Sequence, residues 1–298
     1  MKRSILFLAM SFVSVFTIMS CDDDDDNNTT TEESITIAIS GLEDLGEDFV
    51  YEGWLLVGGT PVSAGTFTVD STGALSKTTF ENTIENINDA TAYIVTIEPA
   101  QDTDTLPTST HILAGDFSND VATLTVGHSA ALGNDFTSAT GGYILATPTD
   151  GNTDTNEESG IWWLDPNAGP AATLTLPTLP EGWNYEGWVV IDGIPVTTGT
   201  FKTNAGADDS APYSSMTADG PPFPGEDFLE NAPDGITFPV DLKGKTAVIS
   251  VEPSPDNSAA PFTLKPLLGP IAADAAVRTV YDMNNNAAGS NPTGTVMR

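Results

Sequence analysis

An internal repeat constrains the fold of this chain more than any other sequence feature. Residues 51–70 and 185–204 are identical at half of their aligned positions and read YEGWLLVGGTPVSAGTFTVD and YEGWVVIDGIPVTTGTFKTN. A second pair of similar blocks, at 92–99 and 246–253, ends in Glu-Pro both times. Because so long a period indicates tandem domains rather than small stacked units, we expect an internal duplication. The predicted boundaries are residues 34–168 for repeat 1 and 169–298 for repeat 2.

Both repeats carry the pattern of paired β-strands. Alternate residues of Tyr51–Val57 fall on opposite faces of an extended chain. Gly58-Gly59 and Asp192-Gly193 are turn pairs between two extended runs, so each block predicts a β-hairpin. The further predicted strands are Ser34–Ser40, Ala92–Glu98, Val121–Val126, Gly142–Thr147, Ile161–Leu164 and Ala172–Leu176. The predicted fold class is all-β, with two tandem β-sandwich domains of immunoglobulin-like type.

The spacing between the two repeated blocks is about twenty residues longer in repeat 2 than in repeat 1, and the extra residues lie near 207–243. Within this insertion, we expect one helical turn at Glu226–Glu230. Long loops on a rigid scaffold often carry function. The insertion is therefore either a functional loop or a tolerated insertion, and the sequence leaves both interpretations open.

The N-terminus has the pattern of an export signal. Lys2 and Arg3 precede the apolar run Ser4–Met19, which is too short to span a bilayer comfortably, so residues 1–20 are predicted to be a signal peptide. The run ends in Ile18-Met19-Ser20-Cys21, which resembles the lipobox of bacterial lipoproteins. That resemblance implies that Cys21, the only cysteine of the chain, carries acyl chains such as palmitate. The alternative is an ordinary cleaved signal with an unmodified cysteine.

Residues 21–33 form an acidic run with five consecutive aspartates, Asp22–Asp26. A like-charged polar run without apolar residues is expected to be a disordered tether. Acidic residues directly after the cysteine resemble the surface-export signal of Bacteroidetes-type lipoproteins, which implies an outer-membrane, cell-surface location. Aspartate at this position also resembles an inner-membrane retention signal, so the periplasmic face of the inner membrane is the alternative.

The charge balance excludes one class of partner. The chain has 42 acidic and 9 basic residues, a net charge of −33. Nucleic-acid binding depends on Lys and Arg contacts to phosphate, so we expect no nucleic-acid partner. The same charge repels anionic lipid headgroups, and membrane attachment is therefore expected through the acyl chains on Cys21. We interpret the acidic surface mainly as a source of solubility, with cation binding as the alternative.

Few residues have the pattern of a catalytic or metal site. His111 and His128 are the only histidines, and zinc sites need several imidazole or thiolate ligands, so no zinc site is predicted. Glu52 and Glu98 recur in repeat 2 and form paired carboxylates, which are the groups that glycoside hydrolases use. Because both lie in the strand blocks that define the repeat, a structural role is favoured and no catalytic residue is assigned.

One acidic loop resembles a calcium loop in part. Oxygen-bearing side chains alternate along it, as calcium ligands do in D-x-N-x-D loops, at Asp150, Asn152, Asp154, Asn156 and Glu158. Thr155 and Ile161 stand where an EF-hand has its turn glycine and closing glutamate. We therefore expect an acidic hairpin turn without a cofactor, and calcium binding is the alternative. Trp162, Trp163 and Trp183 are expected in the core, the alternative being a glycan- or peptide-binding face.

The order of the repeated motifs resembles the extracytoplasmic domain of the anti-sigma-K factor (RskA-like) family. Repeat 1 carries the resemblance at Tyr51, Trp54, Pro61, Ala64, Gly65, Phe67, Glu98, Pro99 and Pro107. Repeat 2 carries it at Tyr185, Trp188, Pro195, Gly199, Phe201, Glu252, Pro253 and Pro261, and departs from it at Thr198. Family members hold a sigma factor through a cytoplasmic domain. Since only Met1–Arg3 precede the apolar run, we expect no such domain, and the resemblance implies the sensor-side fold alone.

These observations predict a lipid-anchored, exported module without enzymatic activity that binds, senses or supports an unidentified protein or glycan. The first alternative is an envelope-signalling accessory protein related to anti-sigma factors but without a sigma-binding domain. The second alternative, from a different class, is a surface glycan hydrolase that uses Glu52 and Glu98.

Overall fold

Extended segments and tight turns account for nearly all of the described chain, and the predicted all-β class is confirmed. The structure is a computed structural model that describes residues 33–82, 87–151, 155–167, 169–256 and 258–298. The predicted signal peptide 1–20, Cys21 and residues 22–32 of the predicted tether lie outside the described residues.

The largest sheet has eight strands. Its first seven strands in chain order are β1 (Glu33–Ser40), β2 (Phe49–Val57), β3 (Thr60–Phe67), β4 (Thr79–Asn82), β5 (Ala90–Pro99), β6 (His111–Ser118) and β7 (Val121–Thr125). The eighth strand comes from the end of the chain and is described below.

The middle of the chain forms short strands and a second large sheet. The short strands are β8 (Gly142–Leu145), β9 (Gly160–Trp162), β10 (Leu164–Asp165) and β11 (Ala171–Ala172). The later strands are β12 (Trp183–Ile191), β13 (Ile194–Phe201), β14 (Gly225–Asp227), β15 (Thr246–Pro253), β16 (Leu267–Pro270), β17 (Tyr281–Asp282), β18 (Asn284–Asn285) and β19 (Thr293–Met297). The predicted strand Ala172–Leu176 is shorter than expected, since β11 ends at Ala172 and Thr175 makes only an isolated bridge to Thr140.

Among the described residues, helical structure is limited to single turns. There are 3-10 turns at Ile87–Asp89, Pro148–Asp150 and Glu157–Ser159, and the helix α1 spans Ala287–Ser290. Within the described ranges, no helix has the length and apolar character needed to cross a bilayer.

The two repeats build the same four-stranded unit. The strand order is β3-β2-β5-β6 in repeat 1 and β13-β12-β15-β16 in repeat 2. Both predicted hairpins are present: Gly58-Gly59 and Asp192-Gly193 all have positive φ, as a type I′ turn requires. Both hairpins also have a bulge at the same place, directly before Trp54 and Trp188. The common evolutionary origin of the repeats stays a prediction from the sequence.

The end of the chain completes the sheet of repeat 1. Strand β19 lies between β7 and β1 and pairs antiparallel with both of them. Residues 293–297 belong to repeat 2 by sequence, but both strands that pair with β19 belong to repeat 1. The described residues of both repeats belong to one compact unit.

One continuous core joins the two repeats. A single cluster of buried apolar side chains includes Tyr51 of β2, Trp163 after β9, Phe262 before β16 and Val296 of β19. Inward-facing residues of more than one sheet meet in this cluster, which is consistent with the predicted β-sandwich packing. The three tryptophans expected in the core are buried, with exposed fractions of 4% for Trp162, 0% for Trp163 and 2% for Trp183.

The insertion of repeat 2 is ordered by pairing with the strand β9. The helical turn predicted at Glu226–Glu230 is wrong, because Gly225–Asp227 is extended and pairs antiparallel with Gly160–Trp162. The local helix preference of Glu and Leu is weak. Backbone hydrogen bonds to a distant strand override it here, and the insertion is attached to the body of the protein at this point.

The position of β19 predicts a stability effect. Val296 is fully buried in the core, whereas the neighbouring Thr295 of the same strand is exposed. We expect Val296→Asp to lower the free energy of unfolding by about 3 kcal/mol or more, because it buries an unpaired charge. The matched control Thr295→Asp should change it by about 0.5 kcal/mol or less. Urea denaturation measures both, and equal effects of the two substitutions would show that β19 is not part of the core.

Candidate functional site

Each repeat buries a glutamate behind a tryptophan. In repeat 1, the indole Nε1 of Trp54 donates to Thr96 Oγ1 at 2.9 Å, and the Thr96 hydroxyl donates to Glu98 Oε1. The backbone N–H of Thr108 also donates to this Oε1, at 2.9 Å. Glu98 is fully buried. Its position is therefore set by the strands and by the loop that follows β5.

Repeat 2 contains the same hydrogen-bonded chain with serine in place of threonine. Trp188 Nε1 donates to Ser250 Oγ at 2.8 Å, and the Ser250 hydroxyl donates to Glu252 Oε1. The backbone N–H of Phe262 donates to the same oxygen at 2.9 Å. The hydroxyl thus accepts a hydrogen bond from the indole and donates one to the carboxylate. Both buried polar groups gain a hydrogen-bond partner in this way, as buried polar groups generally do.

A second glutamate of each repeat lies on the neighbouring strand. Glu52 accepts a hydrogen bond from the Ser63 hydroxyl, and Glu186 accepts one from the Thr197 hydroxyl. Burial raises the pKa of Glu52, and the nearby charge of Glu98 adds to this. The paired carboxylates predicted from the sequence are therefore electrostatic neighbours in the structure.

The pair in repeat 2 is more deeply buried. Burial raises the pKa of Glu186 to about 7 and that of Glu252 to about 8. The charge of Asp256 raises both values further. Carboxylate oxygens of Glu186, Glu252 and Asp256 lie within 4.8 Å of one another, and this trio is the group of described residues that could hold a metal ion.

The bonding of these carboxylates agrees with the structural role that the sequence favours. A general acid or base must reach the substrate. Glu98 and Glu252 are enclosed, and Oε1 of each receives a side-chain and a backbone donor. This arrangement holds the loop after the long strand against the sheet.

An open cleft lies where the insertion meets the body of the protein. It has a volume of about 300 Å³, and we call it the insertion cleft. Its walls combine carboxylates, hydroxyls and aromatic rings, including Asp208, Asp219, Ser215, Trp162 and Phe223. Met216, beside it, is 95% exposed. These groups suit a ligand with positive charges or hydroxyl groups.

Two fully buried acids, Glu226 and Asp227, hydrogen-bond to residues that line the insertion cleft. Asp227 Oδ2 accepts hydrogen bonds from the N–H and hydroxyl of Thr149, at 2.8 and 2.5 Å. Its Oδ1 accepts from Trp162 Nε1 at 2.7 Å. Glu226 accepts from the Ser214 hydroxyl. The bonds of Asp227 connect the insertion with Thr149 and Trp162, which lie more than sixty positions before Asp227, and so they help to fix the shape of the cleft.

Burial also changes the titration of acids at the cleft. It raises the pKa of Glu226 to about 8, although the Ser214 hydroxyl works in the opposite direction. It raises the pKa of Asp208 to about 7, against a hydrogen bond from the N–H of Gly225. Both acids therefore hold protons at a higher pH than exposed carboxyl groups do.

A second cavity, of about 260 Å³, lies where repeat 1 meets the loop after β15. We call it the junction cavity. Its lining includes Glu43, Phe49, Ile97, Asp256 and Phe262. Burial raises the pKa of Glu43 to about 7, while the charge of Lys265 acts to lower it.

The acidic loop that partly resembles a calcium loop is described only in part. Asn152 and Asp154 lie outside the described residues. Asp150 ends a 3-10 turn, Asn156 has a φ of 62°, and the Glu158 carboxylate accepts a hydrogen bond from Lys243 Nζ at 3.2 Å. Calcium binding at this loop stays the alternative to the expected acidic turn without a cofactor.

Both histidines contact the same short loop. His111 Nδ1 lies 2.8 Å from the carbonyl of Ala130, and His128 Nδ1 accepts the N–H of Ala130 at 3.1 Å. His128 Nε2 lies 3.4 Å from the Asp116 carboxylate. These are the polar contacts of a loop.

Sequence reasoning missed Asp208, Glu226 and Asp227, because they meet their partners through tertiary contacts of the insertion. The longer spacing between the repeated blocks of repeat 2 was the available signal, since it marked the segment that carries these acids. Asp256 had a weaker signal, as it aligns with Asp102 of repeat 1.

One part of the chain is similar to a known protein family. Residues 28–111 match the family described as anti-sigma-K factor rskA, C-terminal. This segment is similar to the domain of that family, which confirms the resemblance seen in the motifs of repeat 1. The matched residues include β2, β3 and β5 and end at the first residue of β6. No curated protein and no solved structure matches the chain significantly.

The buried acid Glu226 predicts a pH dependence of stability. The folded state binds this proton more tightly than the unfolded chain, whose carboxyl has a pKa of 4.5. Its stabilising contribution is therefore full below about pH 4.5 and is lost as the pH rises through about 8. We expect the melting temperature to fall between pH 5 and pH 8, and Glu226→Gln to reduce this fall by several degrees. The matched control Glu230→Gln, at an exposed position, should leave the fall unchanged. Equal falls in all three proteins would contradict the assignment.

Proposed function

We propose that this chain is an exported, lipid-anchored binding module of envelope signalling without enzymatic activity. The observation that carries the proposal is the RskA-like match at residues 28–111, which begins within the predicted acidic tether, seven residues after Cys21 of the predicted lipobox. The matched family is described by an anti-sigma-K factor. An accessory role on the sensor side of such a system is the function that this combination supports best.

The hydrogen bonding supports binding over hydrolysis. In a glycoside hydrolase, two carboxyl groups flank the bond that is cleaved, so both must be accessible. Here Glu98 and Glu252 are buried and held by donors from the protein itself. The open cleft offers acids and hydroxyls, but Glu226 and Asp227 are fully buried and do not line it.

The insertion cleft is the proposed binding surface. It combines an aromatic wall at Trp162 with the exposed acids Asp209 and Asp219. A buried hydrogen-bond network holds its walls, so little ordering is needed on binding. The proposed partner is a protein segment or glycan with basic or hydroxyl groups.

The proposed location is the outer membrane, with the module exposed at the cell surface. Acyl chains on Cys21 provide the attachment, since each buried methylene adds about 0.8 kcal/mol. The acidic chain itself is repelled by anionic headgroups.

The test combines lipid labelling, protease treatment of intact cells and pull-down. We expect radiolabelled palmitate on the wild-type protein and none on Cys21→Ser, together with loss of the wild-type protein when intact cells are treated with protease. Labelling of Cys21→Ser would contradict the anchor. Protection in intact cells would contradict the surface location and favour the periplasmic face of the inner membrane.

The pull-down separates the cleft from general charge effects. Asp219→Lys reverses an exposed charge in the insertion cleft, and Asp274→Lys reverses an exposed charge outside its lining. We expect a partner retained by wild type and by Asp274→Lys to be lost with Asp219→Lys. Equal retention by both variants would show that binding does not involve the cleft.

A further inference from the structure

The carboxylates of Glu186, Glu252 and Asp256 converge at one end of the second sheet. Glu186 and Glu252 lie on the paired strands β12 and β15, where Glu186 is opposite Ser250 and Glu252 is two residues further on. Side chains at such positions share a face of the sheet. Asp256 follows β15 and brings a third carboxylate from the loop. One oxygen of each residue lies within 4.8 Å of those of the other two.

Two buried oxygens of this cluster have no partner. Oε1 of Glu252 accepts from Ser250 and from the N–H of Phe262, and Oε1 of Glu186 accepts from Thr197. Oε2 of both glutamates is buried and has no hydrogen-bond partner among the described residues. The exposed fraction is 1% for Glu252 and 6% for Glu186. A buried carboxylate oxygen without a partner is unfavourable, and a cation would satisfy both oxygens at once.

We propose that Glu186, Glu252 and Asp256 bind one calcium ion. Calcium prefers oxygen ligands at about 2.3–2.6 Å, so opposite ligand oxygens are about 5 Å apart at most. The observed limit of 4.8 Å fits this range. Zinc is disfavoured because the cluster has no nitrogen or sulfur ligand. Magnesium fits less well because it demands a smaller, near-octahedral site.

The site is open on the side of the loop. Asp256 is exposed and lines the junction cavity of about 260 Å³. An ion can therefore enter past Asp256 and reach the two buried glutamates, with the remaining coordination positions open to water. Lys265 interacts electrostatically with Glu252, but it interacts more strongly with Glu43. Its single charge is shared in this way and does not neutralise three carboxylates.

Repeat 1 provides an internal comparison. Glu52, Glu98 and Asp102 occupy the corresponding positions in sequence. Among the described residues, these three do not form a group as close as the trio of repeat 2. Glu52 is half-buried, and Asp102 accepts the N–H of Asp104 at 2.8 Å. The calcium site is therefore assigned to repeat 2 alone, which makes Glu98 a matched control.

The test is calcium titration of the purified full-length protein after removal of metal with a chelator. We expect calorimetry to detect a site in wild type, and saturating calcium to raise the melting temperature by several degrees. Glu252→Gln should abolish this site. It keeps the shape of the side chain and an acceptor for Ser250 and Phe262. Asp256→Asn, in an exposed loop where folding is not at risk, should weaken the affinity at least tenfold. Glu98→Gln should bind calcium as wild type does.

Terbium luminescence gives an independent readout of position. Terbium replaces calcium, and Trp188 is hydrogen-bonded through Ser250 to Glu252. We expect emission sensitised by tryptophan in wild type and in Glu98→Gln, and its loss in Asp256→Asn. Calcium binding that survives both Glu252→Gln and Asp256→Asn would overturn the assignment and point to the acidic tether or the loop at 150–158. Magnesium binding of equal strength would overturn the choice of ion. These outcomes are independent of the lipid and pull-down experiments, since neither depends on calcium.

Discussion

The strand β19 is the contact on which the rest of the structure depends. It lies between β7 and β1, so the first sheet becomes continuous only when residues 293–297 have returned from the end of the chain. The side chain of Val296, on this strand, packs in the core that the two repeats share. Because β1 is held on one side by β19 and on the other by the short β4, the repeat that contains the RskA-like domain is completed by the other repeat. The two repeats are thus joined by backbone hydrogen bonds as well as by apolar packing.

Although the chain is strongly acidic, several of its carboxylates are buried in the fold and not exposed at the surface. In both repeats a tryptophan, a hydroxyl and a glutamate form the same chain of hydrogen bonds. The repeats then diverge. In repeat 2, Asp256 lies close to Glu186 and Glu252. Repeat 2 also contains the insertion, whose buried acids Glu226 and Asp227 hydrogen-bond to residues that line the insertion cleft. The proposed binding cleft therefore lies in a segment that repeat 2 has in addition, whereas the proposed calcium site uses residues with counterparts in repeat 1 and depends on their closer approach in repeat 2.

Sequence reasoning found the features that depend on local signals. The hairpins were predictable because Gly58-Gly59 and Asp192-Gly193 suit the turn and the flanking residues alternate. The strand β19 was not predictable, since Thr293–Met297 is short and its partners are distant in sequence. The strand β14 was misread as a helical turn for the same reason, because its pairing partner β9 lies far earlier in the chain. For the site, Glu52 and Glu98 were identified from their recurrence. The convergence of Asp256 with Glu186 and Glu252 required the path of the loop after β15.

Native-state hydrogen exchange tests most directly whether the two repeats form one cooperative unit. The most protected amides of β5 in repeat 1, β15 in repeat 2 and β19 should exchange through one opening reaction, with the same free energy and the same dependence on denaturant. The opposite result would be exchange of β19 and β5 through a separate opening of lower free energy while β15 stays protected. That result would show that the return of the chain end does not couple the repeats, and it would contradict the account given above.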